Sequence, residues 1–442
     1  MSNQQQPGSR RDLLRNAAAA AGSFAILGAT AKGAGTALKV GLVGCGARGN
    51  RALAEHLNAA RILNKALGLS LDLRVAATAD YFAQKALATG KRYNVPESHC
   101  FGGVDAYRKL LAVDVDIVLL ATPPAFRPAH FEAAVAAGKH VFLEKPAAVD
   151  PPGCRRVLAA ADVADKKGLV VVAGTQRRHQ RGYIETQAAV AAGSAGVIKA
   201  GRIGWCQRHR GLSRSLGTPT LDGFIASWRN WAELSGDHIV DQHIHNIDVA
   251  NWFLRAHPIA AVGFGGRARR PAGNTYDFFS IDFEYPGGVH VHSMCRQINA
   301  THVWIGEQLI AAKPNDDPEG GVTKAIVTCS GGFRPATPVI PEDIPQDRRA
   351  HQQEHIHMLY WLARRKPINQ ARDLAIATAT AILGRTAAYT GKRIAWRDMM
   401  EDPKRHPDLY GLTLKPTADD IERGVATLPA EGAVPIPGTT AT

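Results

Sequence analysis

Nothing in the sequence supports a disulfide framework. Six cysteines lie far apart, at 45, 100, 154, 206, 295 and 329. With no C-x-x-C and no spacing that pairs them, they read as free thiols, not as staples or a zinc site. Aromatic residues are also scarce, at 7% of the chain. The formal charge of +14 raises the question of anionic partners, but the Lys and Arg residues are scattered. No basic stretch is interleaved with stacking aromatics, so no nucleic-acid partner is expected. Beyond residue 36 no apolar run reaches the length of a membrane span, and no membrane partner is expected once a leader is removed. Hydrophobic residues make up 45% of 442, enough for a real core in a chain long enough for two domains.

Residues 1–36 stand apart. "SRRDLLR" (Ser9–Arg15) precedes an Ala/Gly-rich apolar stretch, and Ala29-Thr30-Ala31 fits the small-x-small rule for signal cleavage. Paired arginines ahead of a mild apolar segment resemble a twin-arginine export signal, which implies a periplasmic or other extracytoplasmic location. An uncleaved amphipathic or anchoring segment is the alternative.

From Ala37 short apolar runs alternate with helix-period segments. Strands are expected at 38–44, 71–80, 115–122, 139–146 and 169–176, with helices between them. That alternation implies βαβ units and a doubly wound parallel sheet over 37–176. Over 177–400 the texture changes to strands of a largely antiparallel sheet with helices on one face, and "FEYPGGVHV" (283–291) has hairpin grammar. A helix is expected over 239–254, and late helices, including 371–391, are expected to pack back on the first domain. The tail 401–442, rich in Pro, Gly, Ala and Thr, reads as extended.

Three motifs carry chemistry. Gly44-x-Gly46-x-x-Gly49 follows a strand and opens a helix, the dinucleotide fingerprint of a Rossmann domain, with the pyrophosphate expected at the helix N-terminus. Asp80 closes the second strand, where a carboxylate accepts hydrogen bonds from the adenosine ribose and repels a 2′-phosphate. That favours NAD, while Arg48 and Arg51 leave NADP open. Glu144-Lys145-Pro146 ends a later strand, where such sheets place their ligands, and the lysine can donate to a substrate oxygen with Glu144 setting its charge environment. In "GDHIVDQHIHNIDVANW" (236–252), Asp241 and His245 share one helix face, so that the carboxylate orients the imidazole and raises its pKa. His238, Asp241 and His245 fall on roughly one stripe. A metal site is conceivable there, but a third firm ligand is missing and no metal is expected.

Taken in order, the glycine fingerprint, E-K-P and D-x-x-x-H are similar to the Gfo/Idh/MocA family of sugar and polyol oxidoreductases, over about Leu38–Trp396. "GTQRRH" (174–179), "SMCRQI" (293–298) and "AILGRTAAYTGKRIAW" (381–396) resemble its twin-arginine-bearing members. The resemblance implies that Gly44, Gly46 and Gly49 hold the pyrophosphate, that Arg48 also binds the cofactor, that Asp80 reads the ribose, and that Thr122, Pro123 and Glu144 lie beside the cofactor. Lys145 would bridge nicotinamide and substrate hydroxyl, and Asp241 and His245 would form the acid/base pair. Gln176 or Arg178, with His238 and Gln242, would face the substrate. The family often has a small residue where this chain has Asp237, which implies a more polar pocket.

The function so implied is oxidation of a secondary hydroxyl of a carbohydrate or polyol by a homo-oligomer. Twin-arginine export moves folded proteins, so NAD or NADP would be loaded beforehand and held tightly. The redox cycle then closes on the enzyme, either by reducing a second sugar or by a redox-neutral hydrolase or lyase reaction through transient oxidation. A metal-dependent hydrolase and a non-catalytic sugar-binding protein are the competing classes.

Overall fold

The computed structural model describes residues 37–209, 220–314, 322–401 and 414–438. The expected export signal over residues 1–36 and parts of the tail lie outside the described residues.

The first sheet has six strands in the order β3-β2-β1-β4-β5-β6, namely β1 (Leu38–Val43), β2 (Leu73–Asp80), β3 (Cys100–Gly102), β4 (Ile117–Leu120), β5 (His140–Leu143) and β6 (Val171–Ala173). All of its pairs are parallel. Alternating side chains explain why the central strands are apolar throughout. On β4, Ile117 and Leu119 join one buried cluster and Val118 and Leu120 the other. Both faces must therefore be covered by helices. The three-residue β3, which pairs with β2, is too short to leave a period in the sequence and was not expected.

The second sheet runs β12-β11-β7-β10-β9-β8-β13, from β7 (Val197–Gln207), β8 (Ala260–Gly266), β9 (Phe278–Tyr285), β10 (Val289–Gln297), β11 (Trp304–Pro314), β12 (Val322–Thr328) and β13 (Ile394–Ala395). Its pairs are antiparallel except β7 with β10. The β9–β10 hairpin turns at Pro286–Gly288, where Gly287 and Gly288 supply φ of 76° and 72°.

In chain order the helices are α1 (Ala47–Leu67), α2 (Ala83–Arg92), α3 (Ala106–Ala112), α4 (Arg127–Ala136), α5 (Pro151–Lys166), α6 (Arg181–Ala191), α7 (Leu221–Ala226), α8 (Ala232–Ser235), α9 (His238–Asp241), α10 (Ile244–Leu254), α11 (Ala350–Ala363), α12 (Ala371–Thr390) and α13 (Ala418–Glu422). Helix α12 belongs to both domains: Leu374 and Ala377 sit in the core of the first, Ile382 and Leu383 in that of the second. Its even apolar character follows from burial on every side.

Two expectations are corrected. The helix over 239–254 is broken, because α9 stops at Asp241 and α10 begins at Ile244. The tail is not wholly extended. Thr417 and Asp420 form a capping box that starts α13, and Ile421 packs against Phe224 and Trp231.

Helix α11 packs its buried face on α1, and histidines meet in pairs behind the first sheet. His56 Nδ1 lies 3.2 Å from His355 Nδ1, and His179 Nδ1 lies 2.8 Å from His357 Nδ1. One ring of each pair donates and the other accepts, which requires the accepting ring to be neutral. Burial lowers His56 to about 3 and His357 to about 4, and holds His179 and His355 well below 6.5. In the unfolded chain each takes a proton near 6.5. The unfolded state therefore binds more protons between 6.5 and the folded values, so this contribution is complete above 6.5 and falls as the pH drops through that window. Lowering the pH from 7.5 to 5 is expected to cost about 2 kcal/mol for each histidine protonated only on unfolding. Denaturant midpoints at the two values measure this, and equal midpoints would refute it.

Candidate active site

The glycine turn shows how backbone makes room for a ligand. Gly44 has φ of 97°, and a Cβ there would lie 2.6 Å from the Ala121 carbonyl carbon. A Cβ on Gly49 would lie 1.8 Å from the Gly44 oxygen, so α1 can approach β1 only through glycine. Gly46 faces open space. Helix α1 starts there with no side-chain cap and no acidic residue in its first turn, leaving its N–H groups to an anion from outside the helix.

That turn borders a cleft of about 230 Å³ lined by Gly44, Gly46, Asp80, Thr122, Pro123 and Trp228, among others. At the end of β2 the Asp80 carboxylate accepts from Cys45 N–H at 2.7 Å and Phe82 N–H at 2.9 Å, which fixes it beside the glycine turn. The donors and the open cradle fit a dinucleotide. The far wall comes from the second domain. Ile225 and Trp228 line the cleft, and Asp222 accepts from the Tyr81 hydroxyl at 2.7 Å.

Arg48 is turned away from this cleft. Its guanidinium binds Glu144, Glu55 at 2.8 Å and Glu354 at 3.2 Å. Three carboxylates share its charge. Burial pushes the Glu144 pKa up, but Arg48, Arg127 and Lys145 outweigh burial and leave it below the ordinary carboxylate value.

Thr122 follows β4 and Lys145 follows the neighbouring β5, so the cleft and the lysine are adjacent. Lys145 Nζ donates to the Asp241 main-chain oxygen and lies 3.5 Å from Asp241 Oδ1. The Asp241 carboxylate also faces Arg229 at 3.9 Å. The expected carboxylate–imidazole pair is therefore absent, because the break after Asp241 removes the shared face. His245 is buried, its Nδ1 has no hydrogen-bond partner, and its ring lies 5.6 Å from that of Trp205. Burial first, then the charges of Lys145 and Arg177, drives its pKa well below 6.5, opposite to the rise expected from a neighbouring carboxylate.

The remaining residues divide. Gln242 Oε1 accepts from Trp205 Nε1 at 3.1 Å and Gln207 Nε2 at 2.6 Å. Gln176 Oε1 is buried without a partner. Arg178 is not brought to this group. Its guanidinium is clamped by Asp248 at 2.9 Å and Asp373 at 3.0 Å. Its neighbour Arg177 lies 5.6 Å from the Trp205 ring and pairs with Glu307, which also accepts from Tyr183 at 3.0 Å. Successive residues of the short helical turn Gln176–His179 point to different sides, and "RR" alone does not say which faces the site. Asp237 does not make the pocket more polar, since it is fully buried. Among the described residues no cluster of three or more His, Cys, Asp or Glu could hold a metal ion, and no helix is long and apolar enough to cross a membrane.

The two halves of the site share one anchor. Arg385 of α12 donates to Val149 O at 2.7 Å, just past the lysine loop, and to Gly236 O at 3.0 Å, just before α9.

Comparison with known proteins agrees with this geometry. Residues 38–174 match the Gfo/Idh/MocA model described as an oxidoreductase family with an NAD-binding Rossmann fold, and residues 183–308 match its C-terminal domain. Inositol 2-dehydrogenase of Burkholderia cenocepacia (strain HI2424) is 29% identical over 295 residues, 65% of this chain and 77% of the relative. Two solved structures share the fold. Aldose-aldose oxidoreductase from Caulobacter crescentus, complexed with glycerol, has a TM-score of 0.56 and 21% identity over 81% of this chain and all (100%) of its own. Scyllo-inositol dehydrogenase from Lactobacillus casei, with NAD(H) and scyllo-inositol, has 0.57 and 19% over 81% and 99%.

Proposed function

The chain belongs to the Gfo/Idh/MocA family of oxidoreductases and carries its NAD-binding domain, and from that premise we propose that it oxidises a secondary hydroxyl of a polyol or sugar at Lys145 and His245. The carrying observation is that Lys145, at the end of β5, meets Asp241 from the second domain next to the nucleotide cleft. Bound nicotinamide supplies the hydride acceptor. The Lys145 ammonium holds the substrate oxygen and stabilises negative charge as it develops there. Asp241 keeps the ammonium in place. His245, neutral near pH 7 because it is buried, takes the hydroxyl proton on its imidazole. The Asp80 carboxylate suits the free ribose hydroxyls of NAD and repels a 2′-phosphate.

A second reading, tight retention of the nucleotide, is favoured by the wall that the second domain places over the cleft. Ile225 and Trp228 line the cleft, and the Tyr81–Asp222 hydrogen bond ties that wall to the end of β2. With the twin-arginine leader, this supports an exported enzyme whose redox cycle closes on one nucleotide. The outer face of the second sheet exposes Val262, Phe264, Ile305, Ile310 and Ile326, which supports self-association there.

The test is to purify the protein without added nucleotide, denature it, and identify released dinucleotide by mass spectrometry, then follow absorbance at about 340 nm with myo-inositol and a panel of polyols and aldoses as probes. One NAD(H) per chain with reduction by a polyol or sugar is the expected result. An empty protein that turns over added NAD would remove retention and keep the dehydrogenase. No reduction with any probe would overturn the substrate class.

A further inference from the structure

Cations gather around Asp241 in excess of what that carboxylate can pair. Arg229 stands in the short helical turn Trp228–Asn230, directly after Trp228, which lines the nucleotide cleft. Its guanidinium carbon lies 4.5 Å from the centre of the Trp228 ring, and its Nε lies 3.9 Å from Asp241 Oδ2. The second distance is too long for a hydrogen bond. Arg229 donates no hydrogen bond among the described residues, and its side chain is 46% exposed. A rigid fork of N–H donors is therefore available to a ligand beside both the cleft and the reaction site.

Arg127 adds a second unspent cation. It opens α4 and reaches the lysine loop, where its Nη1 donates to Pro146 O at 2.6 Å. The residue is 4% exposed and its Nε has no hydrogen-bond partner. No carboxylate of the described residues forms an ion pair with it, although buried charges are ordinarily paired. Burial pushes its pKa down to about 10; the charges of Glu144 and Asp241 oppose that, while Arg229 and Arg48 add to it. Glu144 is held by Arg48, and Asp241 already faces Lys145 at 3.5 Å. Lys145, Arg127 and Arg229 are thus left with Asp241 between them, and an anion carried by a ligand would balance the excess. The nucleotide pyrophosphate has its own donors at the uncapped start of α1. Asp241 places Arg229 on the Lys145 side, where the reacting hydroxyl is held, so the geometry points to an anion on the substrate.

We propose that the substrate is an acidic sugar, a uronate or aldonate, whose carboxylate is bound by Arg229 while Lys145 holds the hydroxyl that is oxidised. The inference rests on the dehydrogenase reading above and narrows it to substrates that carry a carboxylate within reach of both cations. A planar guanidinium matches a carboxylate with two parallel N–H···O bonds, and such charge-assisted pairs are stronger than neutral ones. Trp228 supports the guanidinium from one side. Arg127 raises the local positive potential from within the fold and needs no contact with the ligand.

The experiment measures kcat/KM, with added NAD, for pairs in which a hydroxymethyl group replaces the carboxylate: D-glucuronate against D-glucose, D-galacturonate against D-galactose, and D-gluconate against D-glucitol. Wild type is expected to favour the acid in at least one pair by about 10–10²-fold, the worth of a hydrogen bond to a charged group. In Arg229→Gln that ratio is expected to fall to within about threefold, with the loss carried by KM for the acid. Arg229→Lys, which keeps the charge and loses the fork, is expected to restore part of it. The wild-type comparison decides the matter even if Arg229→Gln does not fold. Equal rates on acid and neutral partner in every pair, or a wild-type ratio in folded Arg229→Gln, would overturn the proposal. A weaker calorimetric Kd for NAD in Arg229→Gln with the ratio intact would overturn it by assigning the cation to the pyrophosphate. Failure of wild type to oxidise any probe, charged or neutral, would overturn the underlying dehydrogenase reading instead, so the two failures are distinguishable.

Discussion

Replacing Lys145 by alanine is expected to lower kcat by about 10²–10⁴-fold, the range general acid–base and charge-stabilising groups command, while NAD still binds. The side chain meets Asp241 and does not line the cleft bordered by Gly44, Gly46 and Asp80, so its loss spares the nucleotide. His245→Ala is expected to cost as much, and its pH dependence is specific. Burial and the cations around His245 hold its pKa well below 6.5. The base is then already unprotonated at neutral pH, and kcat/KM should stay level as pH falls from 7.5 through 6.5, declining only at lower values. Steady-state rates over that range decide the assignment. Wild-type turnover by either variant would refute it, and an acid limb centred at 6.5 would point to a different base.

Arg48→Met is expected to be the most destabilising single change in the nucleotide half, at about 3–5 kcal/mol. The arginine is the shared partner of Glu55, Glu144 and Glu354, whose side chains are 8%, 5% and 0% exposed. Removing it takes the guanidinium from Glu144 and Glu354 and leaves Glu55 with Arg51 alone, in a region where an unpaired charge is costly. They recover neutrality only by taking up protons, so the deficit relative to wild type should shrink as pH is lowered. Denaturant titrations at two pH values measure both the size and the trend. A loss below about 1 kcal/mol would mean that the cluster behaves as an exposed one.

Much of the nucleotide half was legible because its signals are local. The strand pattern of β1, β2, β4, β5 and β6 follows from short apolar runs between amphipathic helices, and the spacing of Gly44, Gly46 and Gly49 is a backbone requirement written directly in residue type. The site was less legible because its pairings are tertiary. A spacing of four between Asp241 and His245 promises a shared face only while the helix continues, and the chain breaks between them. Arg48 sits inside the fingerprint, yet its partners come from α1, the loop after β5 and α11, up to 306 residues away in sequence. Adjacent Arg177 and Arg178 carry the same chemistry, and only the fold sends one to Glu307 and the other to Asp248. The pairing of Asp237 with the buried His238, at 3.2 Å, was hidden for a further reason: a non-glycine residue at positive φ leaves no mark in composition or period.

Arg385 spans the lysine loop and the turn before α9 with one guanidinium nitrogen. The interval between the nucleotide-side and substrate-side reactive groups is therefore gauged by a single side chain on a helix common to both domains. Strands of the second sheet can vary in sequence, and with them the shape of whatever is bound, without re-registering the lysine against the acid. The molecule separates the part that may diversify from the part that must keep its measure.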